Sequence, residues 1–332
     1  MGELWLTEQG ARLSLDRGRL VVTKDEVRLA ECPISQVERV TLLGNVGVTT
    51  PTLKRLLGHG IALVLLGADG RYYGRLVGQA TPHVALRRQQ YACQSQPAYL
   101  LSMAQAMVAA KLHNLRVLLQ RHSRRGKVGL DDAIAALASY QERVGRTRTL
   151  NALRGIEGSA TARYFGAYRV FLREPWSMVR RSRRPPKDPI NVMLSLGYTL
   201  LARQAESAVE AVGLDPYAGF LHSDEYHRPS LALDLCEEFR PVIDGLVLHV
   251  CHHNVIQAED FRSGEAGERP VVMEREALKR YVTAYQERFA RPIRHPRTGE
   301  RMPLWRFMHL QAQEVARCVR EGQPDYRGCA FR

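Results

Sequence analysis

Residues 97–122, PAYLLSMAQAMVAAKLHNLRVLLQRH, decide the fold of this 332-residue chain. Apolar residues recur through the stretch at helical spacing, which predicts one long amphipathic helix and the opening of a helical domain. Downstream, the same spacing predicts helices over 131–143, 150–172, 189–212, 230–251, 274–289 and 304–320, separated by proline- and glycine-rich breaks. Upstream the period changes. LWLTE, RLSLDRGRLVVTK, EVRLAECP, VERVTLLG, IALVLLG and YYGRLVG are short β-rich runs punctuated by Gly, Asp-Arg-Gly and Asp-Gly turn signals. One helix interrupts them, because Thr49 and Thr50 precede Pro51 and the run TLKRLLGHG, an N-cap and proline start closed by glycine. The chain is therefore read as α+β: a β domain over 1–82, a linker over 83–96 and an all-α domain over 97–332.

Composition limits the partners. No run of 18 apolar residues occurs, and MGELWLTEQGARLSLD lacks a basic region followed by an apolar one, so the expectation is a cytoplasmic protein that does not enter a membrane. Six scattered cysteines without a C-x-x-C pair read as reduced thiols. The 48 Lys+Arg outweigh 34 Asp+Glu, a formal charge of +14 that attracts polyanions and makes nucleic acid the leading partner. The basic, proline-broken run RRSRRPPKDP reads as an exposed loop, either a solvated connection or part of that footprint.

Three segments carry chemistry. In LRGIEGSATARYF, Glu157 lies between Gly155 and Gly158 at the start of a helix; the glycines leave room for a ligand beside the carboxylate, or serve helix packing. In GLDPYAGFLHS a loop delivers His222 after an apolar Ala-Gly-Phe-Leu step, with His227 a weaker competitor; a lone histidine there reads equally as a satisfied core residue. In RPSLALDLCEEFRP, Asp234 and Glu237 share a helical face, where a metal or a basic partner such as Arg228 or Arg240 would relieve their repulsion. Two carboxylates and an imidazole form a mixed O/N donor set suited to Mg²⁺ or Mn²⁺. Cys251-His-His-Asn is the one cluster that could suggest zinc or copper, but its consecutive histidines point in different directions.

In their order and spacing, GNVGVTTPTLKRLLGHGIALVLLGADGRYYGRL, RGIEGSATARYF, DPINVMLSLGYTLL, GLDPYAGFLHSDEYHRPSLALDL and CEEFRPVID resemble the CRISPR-associated protein one family, integrases that insert spacer DNA into a CRISPR array. The resemblance covers nearly the whole chain. It implies an N-terminal β-sandwich that makes a homodimer, an α-helical catalytic domain, and assembly with a small second CRISPR-associated subunit. A CRISPR-associated iron–sulfur nuclease that trims the new spacer also fits such a system. The family's metal glutamate, histidine and acidic helix ligand correspond to Glu157, His222 and Glu237, with Asp234 an alternative or additional ligand and Asn191 a supporting residue near the site. The reaction so implied is attack of a DNA 3′-hydroxyl on a repeat phosphodiester. Arg163, Arg169, Arg180, Arg181, Arg183, Arg184 and Lys187 are the candidate contacts to double-stranded DNA.

Overall fold

The structure is a computed structural model that describes residues 2–68, 70–78, 83–126, 129–183, 185–222, 225–264 and 270–331. The chain divides into two compact units, one comprising 1–80 with 273–280 and the other 81–272 with 281–332.

The first unit is built from strands β1 (Gly2–Leu6), β2 (Arg12–Asp16), β3 (Arg19–Lys24), β4 (Val27–Pro33), β5 (Val37–Leu43) and β6 (Gly47–Val48), helix α1 (Thr50–Gly58), and strands β7 (Ala62–Leu66) and β8 (Tyr72–Leu76). Two four-stranded sheets form, in the orders β4-β3-β2-β6 and β1-β5-β7-β8. The turn Asp16-Arg17-Gly18-Arg19 joins β2 and β3 as an antiparallel pair, while β5 pairs in parallel with both β1 and β7. Leu13, Leu20 and Val22 of one sheet share a core with Leu6, Val40, Leu42 and Leu63 of the other and with Leu56 of α1. Alternation of apolar and polar residues along each strand produces this shared interior. Helix α1 starts as expected: the Thr49 side chain accepts from Thr52 N at 3.4 Å and proline follows at the first turn.

The second unit holds helices α2 (Val84–Gln94), α3 (Pro97–Gly126), α4 (Asp131–Val144), α5 (Leu150–Tyr168), α6 (Pro189–Ala211), α7 (Ser230–Glu237) and α8 (Arg240–His252), then strands β9 (Phe261–Ser263) and β10 (Val271–Met273), helix α9 (Arg275–Ala290), strands β11 (Pro292–Arg294) and β12 (Arg301–Pro303), and helix α10 (Leu304–Glu321), except that the end of β10 and the start of α9, residues 273–280, group with the first unit. The short strands make two two-stranded ribbons beside the helices. Helices α4 and α5 pack on α3, and α6 packs against α7, α8 and α10. Met103, Met107, Val108, Leu112, Leu115 and Leu119 of α3 are all buried, so the stretch that opened the sequence reading is the spine of this unit.

Three expectations change. The span 83–96, read as a linker, holds α2, whose Gln90 is fully buried and donates to the carbonyls of Asp215 and Ala218 at 2.9 Å each. The single helix expected over 230–251 is two, because Pro241 has no N–H to continue the ladder and the chain turns at Glu238–Phe239. Glu157 lies two turns inside α5, which starts at Leu150 behind the Thr149 cap, so it is not at the helix start. Among the described residues, no helix is long and apolar enough to cross a membrane.

Candidate metal centre

Helix α5 aims Glu157 toward α3 and α7. Its Thr161, one turn later, donates to Glu157 Oε1 at 2.9 Å, and its Arg154 donates Nε to the Leu221 carbonyl at 2.8 Å, tying the His222 loop to the helix that carries Glu157. Neither flanking glycine serves packing: a Cβ built on Gly155 or Gly158 meets nothing within 4 Å. Both glycines are exposed, so the carboxylate borders open space.

The His222 loop is held by Asp234 of α7. Phe220 N and Leu221 N donate to Asp234 Oδ2 at 2.6 and 2.9 Å, while His222 N and His222 Nδ1 reach Oδ1 at 3.0 and 2.6 Å. Gly219 makes this approach possible, since a Cβ there would overlap Ser230 and Asp234 Oδ2. The Ala-Gly-Phe-Leu step is thus a device that wraps backbone donors around a buried carboxylate. A carboxylate offers about four acceptor sites, and these four donors occupy them, so Asp234 has none left for a metal. It orients His222 instead. With Nδ1 taken, Nε2 points to Glu237 Oε1, 3.9 Å away.

Glu237 is 3% exposed, and its charge is balanced by two cations that the sequence reading did not place in the site. Arg240 Nη2 lies 3.0 Å from Oε1, and Lys111 Nζ of α3 lies 2.6 Å from Oε2 without hydrogen-bond geometry, leaving Oε2 buried and unpartnered as an acceptor. Burial would raise the Glu237 carboxyl, but Arg240, Lys111 and His222 outweigh it and hold the group down to about 2. Lys111 also donates to Glu157 Oε1, so one ammonium bridges the two acids. Arg240 was foreseen only as a surface partner of an acidic patch; it is half-buried over the Tyr198 ring at 4.8 Å. Lys111 was not foreseen, although a lysine on the apolar face of α3 was the available signal.

Lys111 links Glu157 of α5 to Glu237 of α7, and His222 of the 213–222 loop lies 3.9 Å from Glu237. Among the described residues, no set of three His, Cys, Asp or Glu donors converges. The donor types fit a hard divalent cation: two carboxylates, both facing the Lys111 ammonium, and one imidazole nitrogen. The Cys251-His252-His253 cluster does not converge. His252 Nε2 contacts the Phe171 carbonyl, His253 Nδ1 contacts the His249 carbonyl, and Cys251 is buried. His227 is exposed against Tyr226, away from these donors.

The basic residues separate by role. A cleft of about 420 Å³ is lined by Glu157, Gly158, Thr161, Ala162 and Gly166 of α5 and by Arg169, Arg180 and Arg183, so the exposed face of α5 leads from the carboxylate to the basic loop. Arg163, Arg169, Arg180, Arg183 and Lys187 are exposed; Arg184 lies outside the described residues. Arg181 also lines this cleft, but its guanidinium is engaged within the protein: it donates to Asn191 Oδ1, the Ser182 carbonyl and Ser195 Oγ and lies over Tyr198, with burial pushing its pKa down. Asn191 is fully buried, accepts from Ser182 N and donates to the Arg180 carbonyl and Asp188 Oδ2. It braces the basic loop, not the ligand trio.

A sequence model described as CRISPR associated protein Cas1 matches residues 4–287. The chain is 36% identical over 335 residues to the CRISPR-associated endonuclease Cas1 3 of Thermus thermophilus, covering 100% of this chain and 98% of that one. It is 33% identical over 324 residues to a CRISPR-associated exonuclease Cas4/endonuclease Cas1 fusion of Rhodospirillum rubrum, covering 96% of this chain and 55% of the fusion. Among solved structures, a chain of a Cas6-RT-Cas1–Cas2 complex superposes with a TM-score of 0.83 at 27% identity, over 99% of this chain and 36% of that chain.

Proposed function

The chain belongs to the CRISPR-associated protein Cas1 family, and from that premise we propose that it is the integrase of CRISPR adaptation, joining spacer DNA to the array in the cytoplasm. The observation that supports this reading is Glu157 on the wall of a cleft that runs to a basic loop, linked through Lys111 to Glu237, whose Oε1 lies 3.9 Å from His222 Nε2. In the reaction a DNA 3′-hydroxyl attacks a repeat phosphodiester, a new strand junction forms, and the displaced nucleotide leaves with a free 3′-hydroxyl.

Glu157, His222 and Glu237 would hold Mg²⁺ or Mn²⁺, which supplies charge neutralisation at the reacting phosphate. Asp234 holds His222 in the tautomer and orientation that expose Nε2. Lys111 charge-balances the two acids, and a divalent cation held by them would have to displace its ammonium. Arg163, Arg169, Arg180, Arg183 and Lys187 position the duplex by its phosphates, and no protein nucleophile is required. The Cas1–Cas2 complex among the similar structures and the Cas4/Cas1 fusion among the relatives support a Cas2 subunit and a Cas4 nuclease as partners. A homodimer made through the β domain is part of the same proposal and rests on the sequence resemblance alone.

The Lys111 bridge favours one other reading, a DNA-binding scaffold whose acids merely pair with cations. Strand joining of a short duplex with 3′-hydroxyl ends into a supercoiled CRISPR-array plasmid, with Mn²⁺ and the Cas2 subunit present, separates them. Wild type joins and Glu157→Ala does not under the integrase reading. Equal joining by both refutes the assigned centre, whereas joining by neither, with DNA binding intact, supports the scaffold.

A further inference from the structure

A second cleft, of about 1260 Å³, lies in the helical unit between α3, α8, the end of α9 and the β11–β12 ribbon. None of Glu157, His222 or Glu237 lines it, so it is separate from the metal centre. Its lining holds seven arginines and five histidines against a single carboxylate, Glu287. Such a concentration of one sign inside a concave surface focuses a strong positive potential. Arg291 and Arg294 are exposed at the rim, and Arg288 is half-buried on the wall.

Arg297 pairs with Glu314 at 3.4 Å, yet like charges still face one another in the cleft and one buried donor is left unmet. The Arg288 guanidinium is pushed down first by burial and then by Arg121 and Arg291, and His249 is pushed down by burial, His253, Arg288 and Arg291. His295 is 1% exposed, and its Nδ1 accepts from the backbone N–H groups of Arg297 and Thr298 at 3.4 and 3.2 Å. Nδ1 is therefore the unprotonated nitrogen, and Nε2 carries the proton. That Nε2–H is buried without a partner, a donor whose unmet hydrogen bond an incoming oxygen would satisfy.

We propose that this cleft is a binding site for a ligand carrying several phosphates, seated among Arg288, Arg291 and Arg294 with His295 Nε2 as a neutral donor. Forked guanidiniums match phosphate oxygens in pairs, and a cleft of this size admits a phosphate chain with the group that bears it. The same chemistry is offered by a free oligophosphate, such as the tail of a nucleotide, and by the phosphorylated end of a DNA strand.

The test is calorimetric titration of the full chain with inorganic tripolyphosphate and, separately, with a single-stranded oligonucleotide with and without a 5′-phosphate. Arg291→Gln/Arg294→Gln is compared with Arg146→Gln/Arg148→Gln, which removes the same charge from exposed positions elsewhere. The expected result is a loss of about tenfold or more in tripolyphosphate affinity for the first pair, little change for the second, and none for Glu157→Ala. If only binding of the 5′-phosphorylated oligonucleotide falls, the phosphates belong to a strand end and the site stands. Equal weakening by the two pairs, or no binding of either probe, overturns the proposal. Arg288→Met adds a second readout: it raises the melting temperature of the free protein by relieving like-charge repulsion, and it removes the stabilisation that tripolyphosphate gives the wild type. Unchanged stabilisation by tripolyphosphate in that variant also overturns the site.

Discussion

Lys111 is 2% exposed and survives burial only because Glu157 and Glu237 both face its ammonium. Removing one member of a buried ion cluster strands the others. Lys111→Met should therefore destabilise the metal-free protein by about 3 kcal/mol, and Mn²⁺ should raise its melting temperature more than that of the wild type, because the cation meets no competitor. Differential scanning fluorimetry across a Mn²⁺ series reads both effects, and a smaller metal response than in the wild type would contradict the exchange of ammonium for metal. Gly158 makes the opposite kind of prediction. Nothing lies within 4 Å of a Cβ there, so Gly158→Ala should stabilise α5 by up to about 1 kcal/mol. Gly158→Leu should keep that stability while lowering strand joining, since its side chain would fill the cleft beside Glu157. A leucine variant with full joining activity would show that DNA does not use this face.

At the scale of elements, the break between α7 and α8 and the tyrosine box behind it set the geometry of the centre. Asp244 of α8 is fully buried and accepts from Tyr164 Oη of α5 at 2.8 Å and from Tyr198 Oη of α6 at 2.5 Å, while Tyr168 Oη donates to its backbone carbonyl at 3.0 Å. One carboxyl thereby joins the helix that carries Glu157, the helix behind the basic loop and the helix that carries Arg240. Burial pushes the Asp244 carboxyl up to about 6, although the hydroxyls of Tyr198 and Tyr164 pull the other way. The folded state thus holds this proton more tightly than the unfolded chain, whose carboxyl titrates near 3.8. The stabilisation is complete below about pH 4 and is lost as pH rises through about 6. Relative to Asp244→Asn, which does not titrate, wild type should lose on the order of 3 kcal/mol between pH 4 and 7, read by urea denaturation at fixed ionic strength. A difference independent of pH would mean that Asp244 is ionised throughout.

For the whole molecule, the excess of basic residues predicts strong, salt-sensitive DNA binding, and the proposed footprint is the set of exposed basic side chains near Glu157. Arg180→Gln, Arg183→Gln and Lys187→Gln together should reduce the slope of log affinity against log salt by about 2 to 3, whereas Glu157→Ala should leave that slope in place. An unchanged slope in the triple variant would remove the loop from the footprint. The sequence by itself determined the change of period that divides β region from helical region, the α1 start at Thr49-Pro51 and most helix limits, because periodicity and caps are local features of the chain. Glu157, His222 and Glu237 stood out locally only as ambiguous polar residues, and it was the order and spacing of whole motifs resembling a family that singled them out. Only the tertiary structure decided that Asp234 orients His222, that Arg181 and Asn191 brace a loop, and that Lys111 and Arg240 complete the charge balance of the centre. Those roles depend on which side chains meet across 3 to 126 residues of sequence and on whether water reaches them, and burial and partnership arise only when the helices pack.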